Sequence, residues 1–181
     1  MALESLMVPL GTAAPDFALP DLDGVVHTRA GFRDGPGLLV FFSCNHCPYV
    51  RHLESALGSV LSELPIPAVA ICTNDAEGYP DDAPDRLRAQ AERAGWRFPY
   101  LLDTTQRTGR DFGAVCTPDF FLYDADLRLA YRGAFDESTP RNGVPVTGDL
   151  LRSAVDLVLR GRPVPEPHRP SMGCSIKWRE D

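Results

Sequence analysis

GLLVFFSCNHCPYV, residues 37–50, decides the fold. Its first half, 37–43, is a short continuous apolar run, the pattern of a strand covered on both faces in the middle of a sheet. Beyond it, Val50, Leu53, Leu57, Val60, Leu61 and Leu64 recur at helical spacing. Pro48 falls in the first turn of that helix, where a missing N–H does least damage. The spacing therefore predicts a helix over 45–64. IPAVAIC, residues 66–72, reads as a second buried strand. Strand, helix and strand in this order predict a βαβ unit with a parallel pair, and so an α/β fold.

Cys44-Asn45-His46-Cys47 lies where the first strand ends and the helix begins. A thiol at a helix N-terminus faces unsatisfied N–H groups and the positive end of the helix dipole, and both favour thiolate over thiol. In such CxxC sites thiol pKa values fall to roughly 3.5–7.5. The two-residue gap brings both sulfurs onto one turn, so one cysteine attacks a disulfide and the other resolves the mixed intermediate. Cys44 is the expected nucleophile and Cys47 the resolving partner. His46, inside the motif, is expected to stabilise the Cys44 thiolate and so make the disulfide more oxidising.

Working outward, residues 11–28 predict two short strands around Asp21-Leu22-Asp23-Gly24, with Gly24 free to take positive φ. A polar loop covers Thr73 to Pro84. A helix over 85–94 stops at Gly95. An apolar segment runs from Phe98 to Leu102, and a short helix follows around Thr105 to Phe112. Residues 119–124 and 127–132 predict a hairpin across Asp124-Ala125-Asp126. A last amphipathic helix carries Leu150, Leu151, Ala154, Val155, Val158 and Leu159 and stops at Gly161. The chain divides into one domain over 1–161 and a tail over 162–181. Four prolines by position 170 exclude regular structure early in that tail, and Ile176 and Trp178 are placed to pin it to the body.

Composition limits the function classes. The chain has 181 residues, 44% hydrophobic and 24% charged, which suits one globular domain and argues against disorder. A formal net charge of -7 disfavours a nucleic-acid partner, since phosphate binding needs a basic face. No apolar run approaches the ~20 residues that span a bilayer, so no membrane partner is expected. The N-terminal ten residues lack the basic start and apolar stretch of a signal peptide, so a cytoplasmic location is expected. Five cysteines, an odd count in a chain this long, do not make a secreted disulfide framework. In a reducing compartment a close pair points to redox or metal chemistry.

These motifs resemble a known group. APDFALPDLDG (14–24), FFSCNHCPYV (41–50), TNDAEGYPDDAP (73–84), FPYLLDTTQ (98–106), GAVCTPDFFLYD (113–124), YRGAFD (131–136) and GCSIKW (173–178) look like the thioredoxin-like superfamily. Within it they resemble the redoxin, or AhpC/TSA peroxiredoxin-like, proteins. The resemblance covers nearly the whole chain. It implies a thioredoxin-like fold: a central mixed sheet flanked by helices, an N-terminal hairpin extension and a C-terminal tail. It also implies that the Thr117-Pro118 bond is cis, that Pro118 packs against the active-site sulfurs and that the backbone there accepts an extended substrate segment. Arg51 and the acidic loop 73–85 border the site by the same analogy.

The departures are equally specific. Ser43 stands where thioredoxins commonly carry tryptophan, and strand 38–42 lacks their buried aspartate. Aligned on Cys47, the threonine of a peroxiredoxin site is replaced by Cys44, and its preceding proline is absent, which argues against peroxidase activity of the usual kind.

The leading expectation is a thiol–disulfide oxidoreductase without a cofactor. Its partner would be a protein disulfide or dithiol, with a thioredoxin or glutathione system among the candidates. Two alternatives stay open: a thiol-dependent peroxidase, and a metal-binding or redox-sensing module without turnover. The metal alternative would pair Cys44 and Cys47 with His46, Cys116 or Cys174, but no second CxxC or HxxxH supports it. His27, His52 and His168 are not placed to help, and His52 is expected to be exposed. Cys72 reads as a small core residue. Cys116 reads either as a packed thiol or as a third redox cysteine. Cys174 reads either as part of an anchored tail or as a thiol that resolves or gates the pair.

Overall fold

The apolar run 37–43 forms the middle strand of a five-stranded sheet in the computed structural model, which describes residues 2–179. In chain order the elements are β1 (Ala2–Glu4), β2 (Ala18–Pro20), β3 (Val26–Thr28), β4 (Leu38–Phe42), α1 (Pro48–Glu63), β5 (Ala68–Cys72), α2 (Pro84–Ala94), β6 (Tyr100–Leu102), α3 (Arg107–Phe112), β7 (Cys116–Thr117), β8 (Asp119–Tyr123), β9 (Leu129–Gly133), α4 (Asp149–Leu159) and β10 (Met172–Ser175). The main sheet has the order β6-β5-β4-β8-β9. β4 and β5 pair in parallel, as do β5 and β6, whereas β8 runs antiparallel to both β4 and β9. This is the mixed, helix-flanked sheet of the thioredoxin-like fold.

Strand alternation sends β4 side chains to two cores. Leu39 and Phe41 pack with Phe120 against Leu53 and Leu57 of α1, Leu87 of α2 and Leu151 of α4. Leu38, Val40 and Phe42 pack on the other face with Phe112 of α3, Phe121 and Tyr123. Every β4 residue is buried, which is why its sequence shows no polar alternation.

β2 and β3 form the expected hairpin. The Asp21 Oδ1 atom accepts from the Asp23 and Val25 N–H groups, and Gly24 takes a φ of 82°. Among the described residues no helix is long and apolar enough to cross a membrane.

Two local differences from the sequence expectations bear on function. The helix expected from residue 45 begins at Pro48, so the CxxC segment precedes it and Cys47, at φ -72° and ψ 123°, is its N-cap. Proline is well suited to the first helical position, and the N–H groups of Asn45 and His46 are claimed by Asp82 instead. The tail, in turn, forms β10, the centre of a second sheet of order β1-β10-β7. Ile176 is buried beneath it, and Arg110 lies over the Trp178 ring at 4.4 Å.

Candidate functional site

The site is assembled from three places in the chain. The turn between β4 and α1 carries Cys44 and Cys47, the β7–β8 junction carries Thr117 and Pro118, and the loop before α2 carries Asp82. Thr117-Pro118 is cis. Thr117 touches both sulfurs: its Oγ1 lies 3.2 Å from Cys44 Sγ, and its carbonyl accepts from the Cys47 thiol at 3.1 Å. All five cysteines are free thiols, and Cys44 and Cys47 are both completely buried (0% exposed).

Charge falls unequally on the pair. The Cys44 thiol beside Cys47 holds it down at about 5; burial opposes this, and the Cys174 thiol and the Val50 and Cys174 backbones add to it. Cys44 is pushed well above the ordinary thiol range by the hydrogen bond it makes to Cys47, then by burial and by the Asp82 carboxylate. Both shifts favour the thiolate on Cys47, whereas the sequence expectation placed it on Cys44. With α1 beginning at Pro48, Cys47 rather than Cys44 also stands at the positive end of its dipole, which acts in the same direction. On ionisation Cys47 gives up its bond to the Thr117 carbonyl and accepts from its thiol neighbours.

His46 turns to Asp82 instead of to sulfur, with Nδ1 2.7 Å from Oδ2, and stacks on Tyr79. Asp82, which the sequence placed only within a loop bordering the site, organises the turn. Its Oδ1 accepts from the Asn45 and His46 N–H groups, and its Oδ2 takes the His46 ring and Asn74 Nδ2. Burial alone would raise its pKa; the bonds from His46 and Asn74 outweigh it and hold the carboxyl below the usual 3.8. From the other side Gln90 of α2 donates to the Cys44 carbonyl, Arg93 to Asn45 Oδ1, and Arg51 to the Asn45 carbonyl. One donor or acceptor in an acidic or polar stretch carries no periodic signal, so neither Asp82 nor Gln90 was legible beforehand.

Atoms of Cys44, His46 and Asp82 that can ligate a metal lie within 4.8 Å of one another. Both oxygens of Asp82 are already occupied by protein donors, the arrangement of a hydrogen-bonded brace for the turn. Asp82→Asn is expected to place an amide donor against these donors and to cost about 2 kcal/mol at pH 7. Because the folded pKa of Asp82 is depressed, its contribution is present above 3.8 and fades as pH falls below that value. Urea unfolding of wild type and variant should therefore differ at pH 7, and the difference should narrow as pH falls below 3.8. Equal stability at pH 7 would show the brace to be dispensable.

The remaining cysteines separate clearly. Cys72 lies in β5, and burial drives its thiol far up. Cys116 is fully buried, its thiol pointing to the Pro118 carbonyl at 3.7 Å, and burial together with Asp119 likewise raises it. Cys174 is brought to the pair by β10 and packs on the core cluster that contains both site sulfurs. His52 is half-buried rather than exposed, and hydrogen-bonds Ser138. A cavity of about 260 Å³ opens beside Pro118, lined by Tyr49, His52, Phe135 and Met172 among others.

The AhpC/TSA family model matches residues 10–132. The crystal structure of an uncharacterized conserved protein from Geobacillus kaustophilus is 45% identical, with a TM-score of 0.96 over 100% of this chain and 98% of that one. Thiol-disulfide oxidoreductase ResA of Geobacillus thermodenitrificans is 24% identical over 128 residues, 70% of each chain. A secreted Mycobacterium tuberculosis disulfide oxidoreductase homologous to E. coli DsbE shares the fold, with a TM-score of 0.60 and 17% identity over 77% of this chain and 94% of that one.

Proposed function

Because the chain belongs to the AhpC/TSA family, we propose that its buried dithiol is a redox centre and that the protein is a thiol–disulfide oxidoreductase acting on a protein dithiol or disulfide. The observation that carries this reading is the pairing of Cys44 and Cys47 on one residue, Thr117, whose hydroxyl and carbonyl each meet a sulfur. The two-residue spacing of the CxxC motif puts both thiols in one turn, where they can form a disulfide. The name of the ResA relative supports the same class of chemistry.

The low pKa of Cys47 supports a direction. A stabilised thiolate favours the reduced form, so the Cys44–Cys47 disulfide is an oxidant towards its partner. It also sets the order of events. A partner thiolate attacks Cys44, the S–S bond breaks, and Cys47 departs with the electron pair. A low-pKa sulfur leaves fastest. The partner's second thiolate then attacks its own sulfur in the mixed disulfide, closing the partner's disulfide and releasing Cys44, which takes up a proton. In sum the partner loses two electrons and the chain gains them.

A redox titration against glutathione, with acid quench, alkylation and mass mapping, tests this. We expect a single two-electron couple bridging Cys44 and Cys47. Between about pH 6 and pH 8 the reduced pair binds one proton, so its midpoint should move about 30 mV per pH unit, half the value for a pair that binds two. A slope near 59 mV per unit would remove the Cys47 thiolate. Absence of the Cys44–Cys47 bridge would remove the oxidoreductase reading.

A further inference from the structure

The two site cysteines have no exposed surface, whereas Cys174 is half-buried. β10 runs antiparallel to β7 with Cys174 directly opposite Thr117 and Ser175 opposite Cys116, and the Ile176 N–H extends the pairing to the Val115 carbonyl at 3.0 Å. Residues directly opposite in an antiparallel pair project to the same face, with Cβ atoms about 4.5–5.5 Å apart. The Thr117 side chain reaches Cys44, so the Cys174 side chain lies on the face that looks onto the dithiol. There it packs against the cluster holding Cys44 and Cys47. Glycine at position 173 permits this approach. A Cβ there would run into the Thr117 carbonyl and come within 3.0 Å of the Pro118 nitrogen. The strand is also clamped beyond the cysteine: the Lys177 N–H donates to Asn74 Oδ1, and its carbonyl accepts from Asp75 N–H and Gln106 Nε2.

We propose that Cys174 is a third redox cysteine, the sulfur through which the buried Cys44–Cys47 pair exchanges its disulfide with the partner. This rests on the oxidoreductase function proposed above and changes its first step: because Cys44 is fully buried, the partner meets Cys174 instead of attacking Cys44 directly. In the oxidised chain the Cys174 thiolate attacks Cys47, the Cys44–Cys47 bond breaks, and a Cys47–Cys174 bond forms. Cys44 leaves with the electron pair and takes up the proton that Cys174 lost. No outside oxidant enters this step. The disulfide now includes the half-buried Cys174 in place of the fully buried Cys44. A partner thiolate attacks Cys174, Cys47 departs as thiolate, and the partner's second thiol releases Cys174. The net transfer is again two electrons from the partner dithiol.

Two properties suit Cys47 to the central place. It contacts both thiols, and its depressed pKa makes it the better leaving group when Cys174 is attacked. In the reduced chain, burial and then the bond to Cys47 push the Cys174 thiol up to about 12. Oxidation of Cys47 removes that second cause and leaves Lys177 acting to lower it.

Tryptic peptides distinguish the two bridges, because Arg162 and Arg169 precede proline: Cys44 and Cys47 fall in 34–51 and Cys174 in 161–177. The full chain is oxidised with glutathione disulfide, quenched in acid, alkylated, digested and weighed. Wild type should give 34–51 with an internal bridge together with a fraction joined to 161–177. Cys44→Ser should give the joined pair almost alone. Cys174→Ser should keep the internal bridge but be reduced by dithiothreitol at least about tenfold more slowly. Cys44→Ser carrying only a glutathione adduct on Cys47, or Cys174→Ser reduced at the wild-type rate, overturns the role of Cys174 while leaving the Cys44–Cys47 couple standing. Wild type with no bridge of either kind overturns the oxidoreductase function itself.

Discussion

Replacing Cys47 by serine is expected to abolish disulfide exchange, leaving only single-thiol adducts on Cys44 and Cys174. Cys47 is the one sulfur in contact with both other thiols, so its loss removes both intramolecular bridges at once. The substitution also removes a pH-dependent stability. The Cys47 thiol is held at about 5 in the folded reduced chain against an ordinary 9.0. A depressed folded pKa contributes stability that is fully present above 9 and is lost as pH falls through 5. At 1.36 kcal/mol per unit, the reduced wild type should lose about 2 kcal/mol between pH 7 and pH 5 from this source. Asp82 and Asp136 have folded pKa values below 3.8, so they stay ionised across this window and do not imitate the effect. Denaturant unfolding of reduced wild type, oxidised wild type and Cys47→Ser at the two pH values isolates it. Only the reduced wild type should carry the extra slope. The same slope in Cys47→Ser would move the thiolate elsewhere.

The fold was legible because its central elements carry strong patterns. β4 is an unbroken apolar run, α1 repeats its apolar residues with helical spacing, and the βαβ order leaves few topologies. The CxxC pair was legible because the chemistry needs two cysteines at that spacing at that junction. Beyond these, the signals fade for identifiable reasons. Asp82 does its work through four hydrogen bonds to residues 8 to 37 positions away, and in the sequence it is one aspartate among several. The three-residue difference between the expected helix start at 45 and the observed one at Pro48 is at the limit of what periodicity resolves, yet it decides which sulfur caps the helix. β10 was missed because four residues reading Met-Gly-Cys-Ser have no alternation of their own. Their pairing is long-range, imposed by β7 and β1, and the prolines before them point away from regular structure.

Gly173→Ala should therefore have an effect far larger than one methyl group suggests. Its Cβ would meet backbone atoms of Thr117 and Pro118, which cannot rotate away as a flexible side chain can. The only relief is for β10 to lift from β7, which breaks the pairing of Cys174 with Thr117 and of Ser175 with Cys116. Overpacking of this kind costs about 1–3 kcal/mol, and the loss of ladder bonds should bring the total to the upper end. The consequence at the site is the more informative one. With the strand lifted, two sulfurs that are now fully buried gain access to solvent, and alkylation of the reduced protein by iodoacetamide at pH 7 should accelerate about tenfold or more at Cys47, where the thiolate resides. Gly31→Ala, whose added Cβ would make only an ordinary 3.7 Å contact with Thr28 Oγ1, provides the control and should leave the alkylation rate unchanged. If Gly173→Ala alkylates at the wild-type rate despite the lost stability, β10 does not screen the dithiol. If the rate rises while the Gly31 control stays flat, the tail strand governs access to the sulfurs. The glycine is then as much a part of the redox centre as the cysteine that follows it.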